Sequence, residues 1–284
     1  MHRIGLIPSS VLRLCRFPTR VRPQMKIVPV PVFEDNYAYL IQDEASGLTA
    51  AVDPAEPAKV LAAADSHGMR LCWILTTHKH WDHSGGNEAL AKSHPDLAIY
   101  GGVHENVPAK THNVKDGDVL QLGSHIQISV MEAPCHTSGH VLYIARDTQS
   151  GQQALFSGDT LFIGGCGRFF EGDGAQMLQN MDRIAQLDDA TLVYCGHEYS
   201  ESNLRFGSDA EPTNGAIQTK LGWAVEMGKS DTPTIPSTVA AEKQHNVFMR
   251  VRALMKDDAR FAAESPAEAM TKLRKYKDEW KPKP

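Results

Sequence analysis

Long apolar runs are missing from this chain: no stretch approaches the roughly 18 uninterrupted apolar residues of a membrane-spanning helix, so none is expected. Cysteine is scarce and unpaired in its spacing. The five, Cys15, Cys72, Cys135, Cys166 and Cys195, are odd in number and form no CxxC, which argues against a disulfide framework and a structural thiolate zinc site. A reducing compartment fits, and Cys135 and Cys195 read as small buried hydrophobes. Positive charge is not in excess either. A formal net charge of −5 offers no general attraction to nucleic acid or anionic lipid, so an anionic substrate needs a local basic patch. Acidic residues are missing from one place, residues 1–24, where Arg3, Arg13, Arg16, Arg20 and Arg22 are spread among Ser9, Ser10 and Thr19. That is transit-peptide composition, with a disordered tail as the plain alternative. Met25 could be an internal start, so mitochondrial-matrix and cytoplasmic forms are both expected.

What is present in quantity is histidine, at one position above all. Thr76-Thr77-His78-Lys79-His80-Trp81-Asp82-His83 packs three imidazoles and a carboxylate into six residues. Leu71 to Leu75 before it reads as a buried strand, and in extended chain a spacing of two puts His78 and His80 on one side of the backbone. A helical zinc site would use a spacing of four. Asp82 and His83 are adjacent and suit a second metal beside the first. The Ser84-Gly85-Gly86-Asn87 breaker follows, from which a helix can start.

Three later segments repeat the pattern of an apolar strand ending in His or Asp beside a small residue. His136 follows Ile126 to Met131, Asp159 follows Ala154 to Phe156, and His197 follows Leu192 to Tyr194. Strands are also read over Lys26 to Val32, Ala38 to Gln42, Leu48 to Val52, Leu97 to Tyr100 and Val141 to Arg146. Helices are read over Ala55 to His67 and around the stripe Met177, Leu178, Met181, Ile184 and Leu187. Asp53, before Pro54, is a candidate carboxylate behind a metal-bound histidine or a turn residue. Strands that pair first and then interleave with helices suggest helices outside two sheets. Past about residue 200 the composition turns to helix formers broken by Pro212, Pro233 and Pro236. A last helix opens with Ser265-Pro266-Ala267-Glu268, read as a capping box. Its stripe is Met270, Leu273, Tyr276 and Trp280, with Lys277 inside it and Arg274 at its edge.

The THxHxDH motif resembles the signature of the metallo-β-lactamase superfamily, and the chain from about Met25 onward resembles glyoxalase II, the hydroxyacylglutathione hydrolase family. That resemblance implies an α+β fold, an αββα sandwich with a C-terminal helical domain, divided as 1–24, 25–200 and 201–284. It implies that one metal takes His78, His80 and His136, that a second takes Asp82, His83 and His197, and that Asp159 bridges them. Imidazole and carboxylate donors suit two divalent ions, zinc foremost, with iron or manganese open. Two such ions about 3.5–4 Å apart can share a water and hold it as hydroxide, which removes the need for a Ser or Cys nucleophile. Asp82 would orient that hydroxide, and His140 would stand behind the ligands or start a helix. The family's substrate contacts fall on Arg168, Phe170, Tyr199, Arg274 and Lys277, with His197 beside them. Phe170 replaces the usual Tyr and Arg168 the usual Lys, which removes one hydroxyl and keeps the charge. Asp35-Asn36-Tyr37 and His245 to Arg250 match further family segments without an evident role. The implied activity is hydrolysis of S-D-lactoylglutathione, releasing D-lactate and glutathione in methylglyoxal removal, by a monomer acting on a small molecule. The alternative is a mononuclear iron persulfide dioxygenase, which would leave the second ligand set unused. A nuclease lacks its basic surface, and a binding module would be expected to have lost ligands.

Overall fold

The computed structural model describes residues 25–282; the arginine-rich 1–24 segment, and with it Cys15, lies outside them. Six strands form a first sheet in chain order: β1 (Met25–Val32), β2 (Asn36–Asp43), β3 (Leu48–Val52), β4 (Arg70–Leu75), β5 (Ala98–Gly102) and β6 (His112–Val114). The first three pair antiparallel, and β3 to β6 run parallel. β7 (Val119–Leu122), β8 (Ile126–Glu132), β9 (Val141–Asp147) and β10 (Gln153–Gly158) open the second sheet, and β11 (Leu161–Phe162) and β12 (Gly165–Cys166) form a small hairpin. β13 (Leu192–Cys195) and β14 (Ser237–Thr238) complete the second sheet, whose order is β14-β13-β10-β9-β8-β7.

The burial of β2 explains the layering. All eight of its residues are buried. Tyr37, Tyr39 and Ile41 point into the core shared with Ile128, Val130, Tyr143 and Phe156 of the second sheet. Ala38 and Leu40, on the opposite face, pack on Val60 and Ala64 of α1 (Pro57–Ser66). A strand covered on both faces loses its polar alternation. After the short α2 (Trp81–Ser84), α3 (Asn87–Ser93) covers the same outer face through Leu90 against Ile74 and Ile99. Outside the second sheet lies α4 (Gly174–Ile184), which buries Met177, Met181 and Ile184, the middle of the expected stripe. The architecture is an αββα sandwich.

The chain then runs through α5 (Ser200–Ala210), α6 (Gly215–Lys229), α7 (Val239–His245), α8 (Val251–Asp257) and α9 (Pro266–Glu279). Leu204, Phe206 and Leu273 from these helices, and Phe248 from the turn between α7 and α8, join Leu142 and Leu155 of the second sheet in one apolar cluster. The helical segment also supplies β14 to the sheet edge.

Two expectations need correction. The Ser265 hydroxyl does accept the Glu268 N–H at 3.2 Å, but the Glu268 carboxylate takes the Glu264 N–H at 3.0 Å, so the capping box is half formed. The complete reciprocal box sits at the start of α4, between Asp173 and Gln176. On α9 the order of the cations is reversed: Arg274 is buried and Lys277 partly exposed, because α9 also packs on α4 and rotates its apolar face toward Arg274.

Candidate metal centre

The strand ends converge because backbone hydrogen bonds stitch them together. Val141 donates to Thr77 O at 2.9 Å, Gly196 to Gly158 O at 3.0 Å, and Tyr37 to Gly196 O at 2.9 Å. Crowding there makes two glycines necessary. At Gly158, where φ is +46°, a Cβ would lie 2.6 Å from Thr77 Oγ1. At Gly196 it would lie 2.5 Å from Asp159 Oδ1.

All seven expected ligands are brought together. His78 Nε2 and His136 Nε2 lie 3.1 and 3.0 Å from His80 Nδ1, so three nitrogens face one point. Asp82 and His83 reach inward from one helical turn, which is how adjacent residues come to share a site. Asp82 Oδ2 stands 3.6 Å from His83 Nε2 and 3.4 Å from His197 Nε2. Asp159 joins the groups: Oδ1 is 3.3 Å from His83 Nε2, and Oδ2 is 3.4 Å from both His136 Nε2 and His197 Nε2. A further cluster of Asp53, His78 and His83 overlaps these. Asp53, however, faces the other nitrogen of His83, Nδ1 at 2.9 Å, and accepts from Thr77 N and Oγ1 at 2.8 and 2.6 Å. It orients His83 from behind and does not complete a donor set of its own.

The donors fit a divalent cation on two counts. Three imidazoles on one side, and two imidazoles with a carboxylate on the other, are the donor types that borderline metals take. Asp159 Oδ1 is buried and makes no hydrogen bond of sound geometry, so a negative oxygen is left calling for positive charge. The protonation states agree. Burial pushes His78 well below the usual imidazole range and lowers His136, so both present lone pairs. Burial would also lower His83 and His197, but Asp159 and Asp53 hold His83 well above its ordinary value, and Asp159 and Asp82 raise His197 to about 10. Protons there must leave as cations bind. Burial would raise Asp82, yet His197, His83 and Asn36 hold it below the usual carboxylate range.

Several supporting contacts were not legible as functional. Asp35 Oδ1 holds His197 Nδ1 at 2.9 Å, and Asn36 Nδ2 donates to Asp82 Oδ2 at 3.0 Å, which gives the Asp35-Asn36-Tyr37 segment its role. The Arg168 carbonyl lies 3.0 Å from His136 Nδ1. His140 stacks on His78 with centroids 4.8 Å apart and accepts the Asp159 N–H at 3.2 Å; a strand, not a helix, follows it. Asn246 Nδ2 donates to the Phe162 and Gly165 carbonyls at 3.1 and 2.9 Å, so the His245 to Arg250 stretch anchors the β11–β12 hairpin through Asn246, and Glu242 of α7 adds to this by accepting the Gly164 N–H at 2.9 Å. Cys135 and Cys195 are buried thiols pushed up to about 12 by that burial.

A cavity of about 340 Å³ adjoins the centre, lined by Arg168, Tyr199, Arg274 and Lys277 among others. Tyr199 stacks on His197, centroids 4.6 Å apart, and is raised to about 12 by burial and by neighbouring carboxylates, so its phenol remains a donor. Arg274 does not lean freely over the cleft: it is buried, bonded to Cys166 O at 3.0 Å and Asp278 Oδ1 at 2.7 Å, with Nε unpartnered. Lys277 holds its ammonium 4.8 Å from the Phe206 centroid, and burial lowers it to about 8. Phe170 is 60 % exposed and packs on His80 and His136 at the mouth of the centre.

Known proteins resemble this chain in sequence and in fold. A family described as "Metallo-beta-lactamase superfamily" matches residues 33–197, and one described as "Hydroxyacylglutathione hydrolase C-terminus" matches residues 198–280. The chain is 46% identical over 258 residues to a protein of Arabidopsis thaliana named "Hydroxyacylglutathione hydrolase cytoplasmic", covering 90% of this chain and 100% of that one. ETHE1 from Myxococcus xanthus shares the fold with a TM-score of 0.63 at 23% identity, covering 91% of this chain and 92% of that one. TTHA1623 in a di-iron-bound form does so with a TM-score of 0.56 at 23% identity, covering 78% of this chain and 99% of that one.

Proposed function

Because the chain belongs to the hydroxyacylglutathione hydrolase family of the metallo-β-lactamase superfamily, we infer that it hydrolyses S-D-lactoylglutathione to D-lactate and glutathione, disposing of methylglyoxal. The observation that carries this reading is a complete double ligand set meeting at Asp159 beside a cavity with cationic and aromatic walls. A mononuclear iron dioxygenase would give Asp82, His83 and His197 no work, and that reading is not taken further.

His78, His80 and His136 would hold one ion, Asp82, His83 and His197 a second, and Asp159 both. Zinc suits the donors best, with iron and manganese close behind. When bound, such ions supply Lewis acidity and lower the pKa of water toward neutrality. The rest falls to side chains. Asp82, fixed by Asn36 and still 21% exposed, would orient the attacking hydroxide. Tyr199 donates to the peptide part of the substrate, and Phe170 covers the acyl side. Arg168 and Lys277 bind its carboxylates, with Arg274 fixing the floor of the cavity. Residues 25–200 then form the metallohydrolase unit and 201–284 the substrate-gripping one. The Arabidopsis relative is named cytoplasmic, and a cytoplasmic site of action is proposed here too, with the 1–24 segment as the basis for a mitochondrial form.

Lys277 provides the test. It is a cation below about 8 and neutral above, so its grip on a carboxylate is complete at lower pH and is lost as pH rises through that value. KM for S-D-lactoylglutathione is expected to rise about tenfold between about pH 7 and pH 9 with kcat less affected. Lys277→Arg, charged throughout, removes that rise. A KM that rises as steeply in Lys277→Arg as in the wild type, with Lys277→Met no worse than either, excludes Lys277 from substrate binding.

A further inference from the structure

Lys79 is the one charged residue of the histidine motif that ligand assignment leaves idle. Its ammonium lies 2.6 Å from Glu171 Oε1 and 3.6 Å from Glu105 Oε1. Both carboxylates grip the loop that carries His136. Glu105 accepts from Thr137 Oγ1, and Glu171 Oε2 accepts the Ser138 N–H at 2.8 Å. The Glu171 N–H donates to Cys135 O at 3.1 Å.

Glu171 also sits on a second loop, residues 167–172, which bears Arg168 and Phe170. This loop is pressed against the centre at both ends. A Cβ at Gly167 would lie 2.0 Å from Asp159 O, and one at Gly172 would lie 2.5 Å from Cys135 Cα. Between them the Arg168 carbonyl faces His136 Nδ1 at 3.0 Å. One stretch of backbone thus holds His136 while its Arg168 side chain reaches the cavity and Phe170 packs on His80 and His136.

Resting on the reading of the centre given above, we propose that Lys79 is a positioning residue: through Glu171 and Glu105 it fastens the 167–172 loop onto the His136 loop. The fastening keeps the Arg168 carbonyl on His136 and so links metal retention at the three-histidine group to the placement of Arg168 and Phe170. An ordinary surface ion pair would contribute little. Here the Glu105 side chain is wholly buried and its Oε1 has no hydrogen bond, so removing Lys79 leaves that buried oxygen without the cation that faces it, although Thr137 still donates to Oε2 and the Lys110 ammonium stays nearby.

The test compares the zinc-loaded full-length wild type with Lys79→Met, Lys79→Arg, Glu171→Gln and the Lys79→Met, Glu171→Gln double variant. Zinc release to a chromogenic chelator, KM and kcat for the thioester, and thermal midpoint are measured on each. Lys79→Met and Glu171→Gln should each release zinc about tenfold more readily and raise KM severalfold. The double variant should be no worse than Lys79→Met alone, since Lys79→Met has already broken the Lys79–Glu171 contact. Lys79→Arg should recover most of the loss, and Lys229→Met, which breaks the exposed Lys229–Glu226 pair, should change nothing. Zinc release within about twofold of wild type in Lys79→Met, additive losses in the double variant, or a lower thermal midpoint with unaltered zinc release would each overturn the proposal. Zinc release is read without substrate, so an inactive thioester assay would count against the proposed reaction and leave this inference standing.

Discussion

Asp159→Asn is expected to lower turnover by at least about 10³-fold and to cost the protein bound metal while leaving the fold intact. The carboxylate contacts His83, His136 and His197, members of both nitrogen groups, within 3.4 Å. An amide keeps the shape and one acceptor oxygen but presents N–H to two of those imidazoles and removes the negative charge both ions would share. Without it His83 and His197 also lose the carboxylate that raises them, so their affinity for protons falls together with the attraction for metal. Metal analysis and single-turnover kinetics on the same preparation check this. Turnover within about tenfold of wild type would show that Asp159 is not shared between the groups.

Asp53→Asn is expected to weaken metal binding by about 10- to 100-fold although Asp53 is a ligand in neither group. Its two oxygens accept from Thr77 N, Thr77 Oγ1 and His83 Nδ1, all within 2.9 Å. Asparagine tolerates the φ of +46° found there, so the backbone is not the issue. The amide can satisfy at most one side, and a buried donor left facing a donor costs about 1–3 kcal/mol. Binding isotherms for zinc and a thermal melt should therefore both shift. A melt that shifts with an unchanged isotherm would reduce Asp53 to a turn residue.

The sequence made the clustered His and Asp residues legible because each lies at or just past a strand end and is of a residue type that few other roles require. His78 and His80 could be paired from a two-residue spacing alone. Their partners behind the centre were harder to see, because the contacts cross great lengths of chain. Asp35 meets His197 across 162 positions, and a turn-forming Asp has the same local appearance as an orienting one. The Arg168 carbonyl on His136 leaves no trace in residue type at all, since every residue has a carbonyl. Lys79 carried no reading from the sequence, because its partners, Glu105 and Glu171, lie on two other loops. On α9 the helical wheel placed the apolar stripe correctly, and contact with α4 then decided which cation is covered. Small strands such as β6 and β14 carry too few residues to show a period of two.

On the proposed reading, thioester hydrolysis requires two divalent ions bound together. Metal-stripped protein titrated with zinc while S-D-lactoylglutathione hydrolysis is followed tests it most directly, with bound metal measured in the same samples. Turnover should rise to a plateau at about two equivalents per chain. Full turnover at about one equivalent, or none with both equivalents bound, would contradict it.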